Sequence, residues 1–169
     1  MTSRILVAYA SKYGSTAEIA NKIGGVLREA GLSVNVMPAA QVFDLTQFSA
    51  VVLGSAVYDK RWRKEAVTFL EENEASLAKM PVWLFSSGPI GKDDPVTLMN
   101  GWRFPAALES CVYRIQPRAI TLFHGAINMD KLNFAEKQIV KEFKAPVGDY
   151  RDWAVITSWA SDIATALKS

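Results

Sequence analysis

Ser11-Lys-Tyr-Gly-Ser-Thr16 brings the hydroxyls of Ser11, Ser15 and Thr16 together with a glycine in one short stretch. Those residue types suit an anion. Hydroxyl donors can rotate onto phosphate oxygens, and Gly14 permits either a positive φ or the close approach of a ligand to the backbone. At the start of a helix, the stretch would add backbone N–H groups that have no intrahelical partner and lie at the positive end of the helix dipole. The alternative is local: Ser15 caps the helix and Glu18 completes a capping box. Nothing within the stretch separates the two, because Ser, Gly and Thr are what any such turn uses.

Other residues that could do chemistry are few. The one cysteine, Cys111, and the one histidine, His124, do not cluster with each other or with acids at metal-ligand spacing, so no metal site is expected. His124 falls at the end of a strand, where a structural role is the more common one, and Cys111 reads as a small buried residue. Lys60-Arg-Trp-Arg-Lys64 sets four cations around an indole. They are either the solvated start of a helix, where cations oppose the dipole, or a surface for an anionic substrate or an anionic membrane.

The elements that must position these residues follow from hydrophobic periodicity. Arg4-Ile-Leu-Val-Ala-Tyr-Ala10 is a short apolar run that reads as a strand buried on both faces. Ile19, Ala20, Ile23, Val26, Leu27 and Ala30 then recur at helical spacing until Gly31. Leu32 to Met37 alternates as a strand near a sheet edge, ended by Pro38. Ala50 to Ser55 is the best candidate for a central strand. A loop from Ala56 to Trp62 leads to a helix carrying Ala66, Phe69, Leu70 and Leu77 and ending near Lys79. Pro81 to Phe85 and Arg118 to His124 are two further buried strands. Pro105 opens a helix with Ala106, Leu108 and Val112. Asn133 to Phe143 is an amphipathic helix with Phe134, Ile139, Val140 and Phe143 as its stripe. Asp152 caps a last helix from Trp153 to Leu167, which buries Ile156, Trp159, Ala160, Ile163 and Leu167.

This alternation predicts an α/β fold, a five-stranded parallel sheet with helices on both faces, as a single domain over 1–169. In such sheets ligands bind beyond the carboxyl ends of the strands, where strand order reverses. The loops Ser11–Thr16, Ser55–Trp62 and Ser87–Asp94 are rich in Gly and Ser, and all would share that rim. Their coincidence favours the anion over the bare cap. The dinucleotide pattern Gly-x-Gly-x-x-Gly and the triphosphate pattern ending in Gly-Lys-Ser/Thr are both missing after the first strand. A phospho-receiver domain needs carboxylates where Ala10-Ser11 and Gly54-Ser55 stand. A net charge of +2 does not suggest nucleic acid. The start lacks an apolar signal segment and no run reaches membrane-spanning length, so a cytoplasmic protein is expected.

The chain resembles the flavodoxin family. Ser11-Lys-Tyr-Gly-Ser-Thr16 looks like that family's phosphate loop, Asp44-Leu-Thr-Gln-Phe48 and Ala50 to Ser55 are similar to the approach to its second flavin loop, and Phe85 to Gly91 sits where the third should be. The resemblance implies a flavodoxin-like three-layer sandwich of strand order 2-1-3-4-5 with FMN as cofactor. It implies a phosphate held by Ser11, Lys12, Tyr13, Gly14, Ser15 and Thr16, and an isoalloxazine between Ala56, Val57, Tyr58 and Trp62 on one side and Ser87, Gly88, Pro89, Ile90 and Gly91 on the other. Tyr58 or Trp62 would stack on the ring. Within the family the likeness is to the menaquinone-dependent protoporphyrinogen oxidase type, carried by Gly54-Ser-Ala-Val57, by Phe123-His-Gly-Ala126 with the helical insertion after it, and by Asp152-Trp153.

That likeness implies an oxidoreductase of heme biosynthesis, passing electrons from a reduced organic substrate to a quinone, with peripheral membrane contact through Lys60, Arg61, Trp62, Arg63 and Lys64. The alternative is an electron carrier that docks to a redox protein and has no substrate of its own. Electron-carrier flavodoxins are generally acidic, whereas this chain is slightly basic.

Overall fold

The structure, a computed structural model, describes residues 3–169. Strand β1 (Arg4–Ala10) is followed by helix α1 (Ser15–Glu29), edge strand β2 (Ser33–Pro38) and a 3-10 turn at Ala39–Gln41. Strand β3 (Phe48–Tyr58) turns directly into the short β4 (Arg61–Trp62), then helices α2 (Lys64–Glu72) and α3 (Glu74–Leu77) lead to β5 (Val82–Ser87). A single turn α4 (Pro95–Leu98), a 3-10 turn at Ala106–Leu108 and helix α5 (Glu109–Ile115) precede β6 (Ala119–Phe123). The chain ends with β7 (Ala126–Ile127), a 3-10 turn at Met129–Lys131, helix α6 (Phe134–Glu142), β8 (Gly148–Asp149) and α7 (Trp153–Lys168).

The main sheet runs in the order β2-β1-β3-β5-β6, and all of these neighbours pair in parallel. Counting its five long strands in chain order, this is the expected 2-1-3-4-5 arrangement. Strand β4 lies outside that series and pairs antiparallel with the end of β3.

Side-chain alternation along the strands divides the core in two. Leu6, Ala8, Val51, Leu53 and Leu84 point toward α2, α3 and α5 and meet Phe69, Leu70, Leu77, Val112 and Ile115. Ile5, Val7, Val52, Trp83 and Phe85 point the other way, toward Ile19, Ile23 and Leu27 of α1 and Ile156, Ala160 and Ile163 of α7. Both faces of the central strands are covered, which explains why they read as unbroken apolar runs.

Two departures from the sequence reading have local causes. The helix expected to run to Lys79 breaks at Asn73, whose side-chain amide donates to the Phe69 carbonyl at 2.9 Å. Strand β3 continues through Ala56, Val57 and Tyr58, which were expected in a loop, because Val57 and Tyr58 pair with Trp62 and Arg61. The apolar stripe of α6 is not core: Phe134 is 78 % exposed, Phe143 75 % and Ile139 56 %.

Candidate functional site

The turn between β1 and α1 is a helix N-terminus without a side-chain cap. Gly14 occupies the N-cap with φ 95°, in the left-handed region that a residue with a Cβ avoids. The first intrahelical bond is Glu18 N–H to the Gly14 carbonyl, at 3.0 Å. The amides of Ser15, Thr16 and Ala17 therefore have no carbonyl within the helix to donate to. The local alternative, a cap by Ser15 with Glu18, is overturned: Ser15 is already the first helical residue. Ser11 shapes the turn by accepting the Gly14 N–H at 3.1 Å. Thr16 is fully buried, and its hydroxyl has no hydrogen-bond partner. A buried unpaired hydroxyl is costly enough to need an explanation, and an anion at the turn supplies one.

Beside the turn lies a cavity of about 280 Å³. Tyr13 and Ser15 form one wall, the strand ends Ala56, Val57 and Tyr58 a second, and Ser87 and Gly88 a third. Tyr13 and Tyr58 meet edge to face, with ring centroids 6.5 Å apart and planes at 78°. The hydroxyl of Tyr13 is buried without a partner. Burial raises the phenol pKa of Tyr58 above its usual 10.0, with Arg63 and Lys12 opposing the rise. The floor is tight at Gly125, where a Cβ would come within 2.9 Å of the Gly88 carbonyl oxygen.

The roof comes from the segment between β6 and α7, none of which was expected at the site. Ala126, Ile127, Asn128, Leu132, Glu136, Ile139 and Val140 close the cavity from that side. Helix α6 is started by a capping box, in which Asn133 accepts the Glu136 N–H at 2.8 Å and Glu136 accepts the Asn133 N–H at 3.0 Å. The roof is fastened to the turn at three points. Lys12 Nζ lies 3.1 Å from Glu136 Oε2, Lys131 Nζ donates to the Tyr13 carbonyl at 3.1 Å, and Arg151 donates to the Ser15 carbonyl at 3.1 Å. Asn133 and Lys12 hold the Glu136 carboxyl below its usual pKa, in that order of effect. The sequence signal for this roof was an amphipathic helix beyond the last strand, when α1 and α7 already covered that face of the sheet.

Several expected site residues lie elsewhere. Trp62 does not line the cavity: its ring is 6 % exposed within the core, and its indole N–H donates to Ser86 Oγ at 2.8 Å. Pairing of β4 with β3 turns it inward, away from the cavity and from the surface. Arg63 is partly buried and lies 3.2 Å from Glu65. Lys60, Arg61 and Lys64 remain exposed. Pro89, Ile90 and Gly91 are also absent from the lining, because the loop folds onto the end of β6. There Gly88 N–H donates to the Phe123 carbonyl and Gly125 N–H to the Pro89 carbonyl. His124 Nε2 sits 2.7 Å from the Asp93 carbonyl, outside this cavity. Cys111 is buried against Leu70, and burial pushes its thiol up to about 11.

The chain belongs to the flavodoxin family, whose flavodoxin domain matches residues 6–153. FMN is accordingly its cofactor, and the unpaired amides and the orphaned Thr16 hydroxyl are the donor chemistry a phosphate needs. Among solved structures, a flavodoxin from the domain Archaea superposes with a TM-score of 0.66 at 16 % identity, covering 98 % of this chain and 99 % of that one. A flavodoxin of Streptococcus pneumoniae TIGR4 gives 0.61 at 16 %, covering 97 % and 99 %. Rubredoxin oxygen:oxidoreductase from the anaerobe Desulfovibrio gigas gives 0.63 at 15 %, and this chain spans 36 % of its length. No curated protein matches the sequence.

Proposed function

We propose that the cavity holds FMN and that the protein passes electrons from a reduced organic substrate, of the protoporphyrinogen kind, to a quinone. When bound, FMN supplies the redox chemistry, and the residues of the chain orient it and control what reaches it. The amides of Ser15 and Thr16 and the hydroxyls of Ser11, Ser15 and Thr16 bind the phosphate. Tyr13 and Tyr58 would pack against the ring, and Ser87 and Gly88 would border its polar edge. Leu132, Ile139 and Val140 keep water off it.

The observation that carries the substrate reading is the roof. Its inner side is mostly apolar, with Asn128 and Glu136 as the polar exceptions, and Ile139 is both part of the lining and half exposed, which suits entry of a flat organic molecule. Lys60 and Arg61, next to Tyr58, would attract carboxylates on that molecule or an anionic membrane holding the quinone. The test has two stages. Flavin released from the purified protein is identified by chromatography, with FMN expected and no flavin refuting the reading. Turnover of protoporphyrinogen with a menaquinone analogue is then measured, and its absence in a flavin-loaded protein removes the substrate half.

A second reading, an electron carrier that docks to a redox protein, is favoured by the exposed Phe134 and Phe143 beside the cavity. Flavin reduced by a partner protein, without turnover of any small substrate, would select it. No helix among the described residues is long and apolar enough to cross a membrane.

A further inference from the structure

Three cations surround the Ser11–Thr16 turn, and two of them are already neutralised. Lys12 is paired with Glu136. Arg151, with its side chain 8 % exposed, is gripped by both oxygens of Asp149 and lies 3.1 Å from Glu18. Lys131 differs from both. Its Nζ donates to the Tyr13 carbonyl and would lie 3.6 Å from a Cβ built on Gly14. No ion pair among the described residues includes it.

An ammonium has three donors, and this one uses a single donor on protein. It stands beside the positive end of the fifteen-residue helix α1, next to amides without acceptors and the buried, unpartnered hydroxyl of Thr16. Positive charge and positive dipole gathered without a counter-ion repel each other, and an anion in the turn reverses the sign of that interaction. Lys131 also stands one residue before Leu132, which lines the roof. An ion pair made there therefore draws the roof toward the turn.

We infer that Lys131, delivered by the segment between β6 and α7, is the counter-ion of the FMN phosphate and makes the site select a phosphorylated flavin over riboflavin. This rests on the reading that Ser11–Thr16 holds the phosphate. The residue acts on affinity and selectivity, with no part in electron transfer.

The experiment titrates the full-length apoprotein with FMN and with riboflavin, following quenching of flavin fluorescence, in wild type and in Lys131→Arg, Lys131→Met and Lys131→Glu. FMN affinity should follow charge. Arg should stay within about threefold of wild type, Met should fall about tenfold or more, and Glu should fall further, with a weaker salt dependence in Met than in wild type. Riboflavin affinity should change less than about twofold across the series. Equal weakening of both flavins in Lys131→Met would show a packing role and overturn the inference, as would FMN affinity indifferent to charge. A folded wild-type protein that binds neither flavin would instead refute the flavin reading itself. Circular dichroism on each variant establishes that it is folded before the titration is read.

Discussion

The indole N–H of Trp62 donates to Ser86 Oγ at 2.8 Å, and Ser86 in turn donates to the Arg103 carbonyl at 2.9 Å. A ring from the β3–β4 hairpin is thus tied to the penultimate residue of β5 and, through it, to the segment before α5. Trp62→Phe removes the first bond and leaves space in a close-packed core. A loss of about 1–3 kcal/mol in urea denaturation is expected. The absorption spectrum of bound FMN should be unchanged in this variant, whereas Tyr58→Ala should alter it. The opposite pattern would return Trp62 to the flavin.

Thr16→Val keeps shape and removes a buried hydroxyl that has no partner in the protein. The apoprotein should gain up to about 1 kcal/mol, because an unsatisfied polar group leaves the interior, while FMN affinity should fall about fivefold to tenfold. Opposite signs in denaturation and in flavin titration are the signature. A variant less stable in the absence of flavin would mean that the hydroxyl is satisfied within the fold.

Asp59 and Lys60 both adopt positive φ, 52° and 56°, in the two-residue turn that joins β3 to β4. Such a turn prefers glycine, since each position is strained for a residue with a Cβ. Lys60→Gly should stabilise the protein by about 0.5–1 kcal/mol in chemical denaturation. If the exposed cations recruit an anionic substrate, the same variant should raise KM without changing kcat.

Glu136 ties α6 both to its own capping box and to Lys12, and these bonds hold its carboxyl below the usual 4.5. A carboxyl lowered in the folded state contributes stability above its unfolded value and loses it as pH falls through the folded value. Hydrogen exchange corrected for intrinsic rates should therefore show α6 losing protection as pH falls below the usual carboxyl range, ahead of β3 and β5. Lys12→Met should flatten part of that pH dependence. Uniform loss of protection across the chain would place the acid transition in the core instead.

The central strands were legible because β1, β3 and β5 are buried on both faces and so are apolar without alternation. The parallel sheet and its rim loops followed from the alternation of strands and helices, and the strand order from the family resemblance. Gly14 and its hydroxyl neighbours were legible as a possible anion turn, though only tertiary context separated that from a capped helix. The apolar stripe of Phe134, Ile139, Val140 and Phe143 predicted a helix, and only the structure showed that Phe134, Ile139 and Phe143 stay exposed. Periodicity reports that one face is apolar and carries no information about what that face meets.

By itself the sequence determined an α/β sheet with a polar turn at the end of its first strand, because backbone periodicity and the conformational freedom of glycine are local properties. The tertiary structure alone decided which side chains share the cavity. It turned Trp62 into the core through the β3–β4 pairing and folded Pro89 to Gly91 against β6. It also brought Lys131 within reach of Tyr13, across more than a hundred residues of chain. Contacts at that separation depend on how layers stack and where a segment returns, and those are set by the whole packed core acting together.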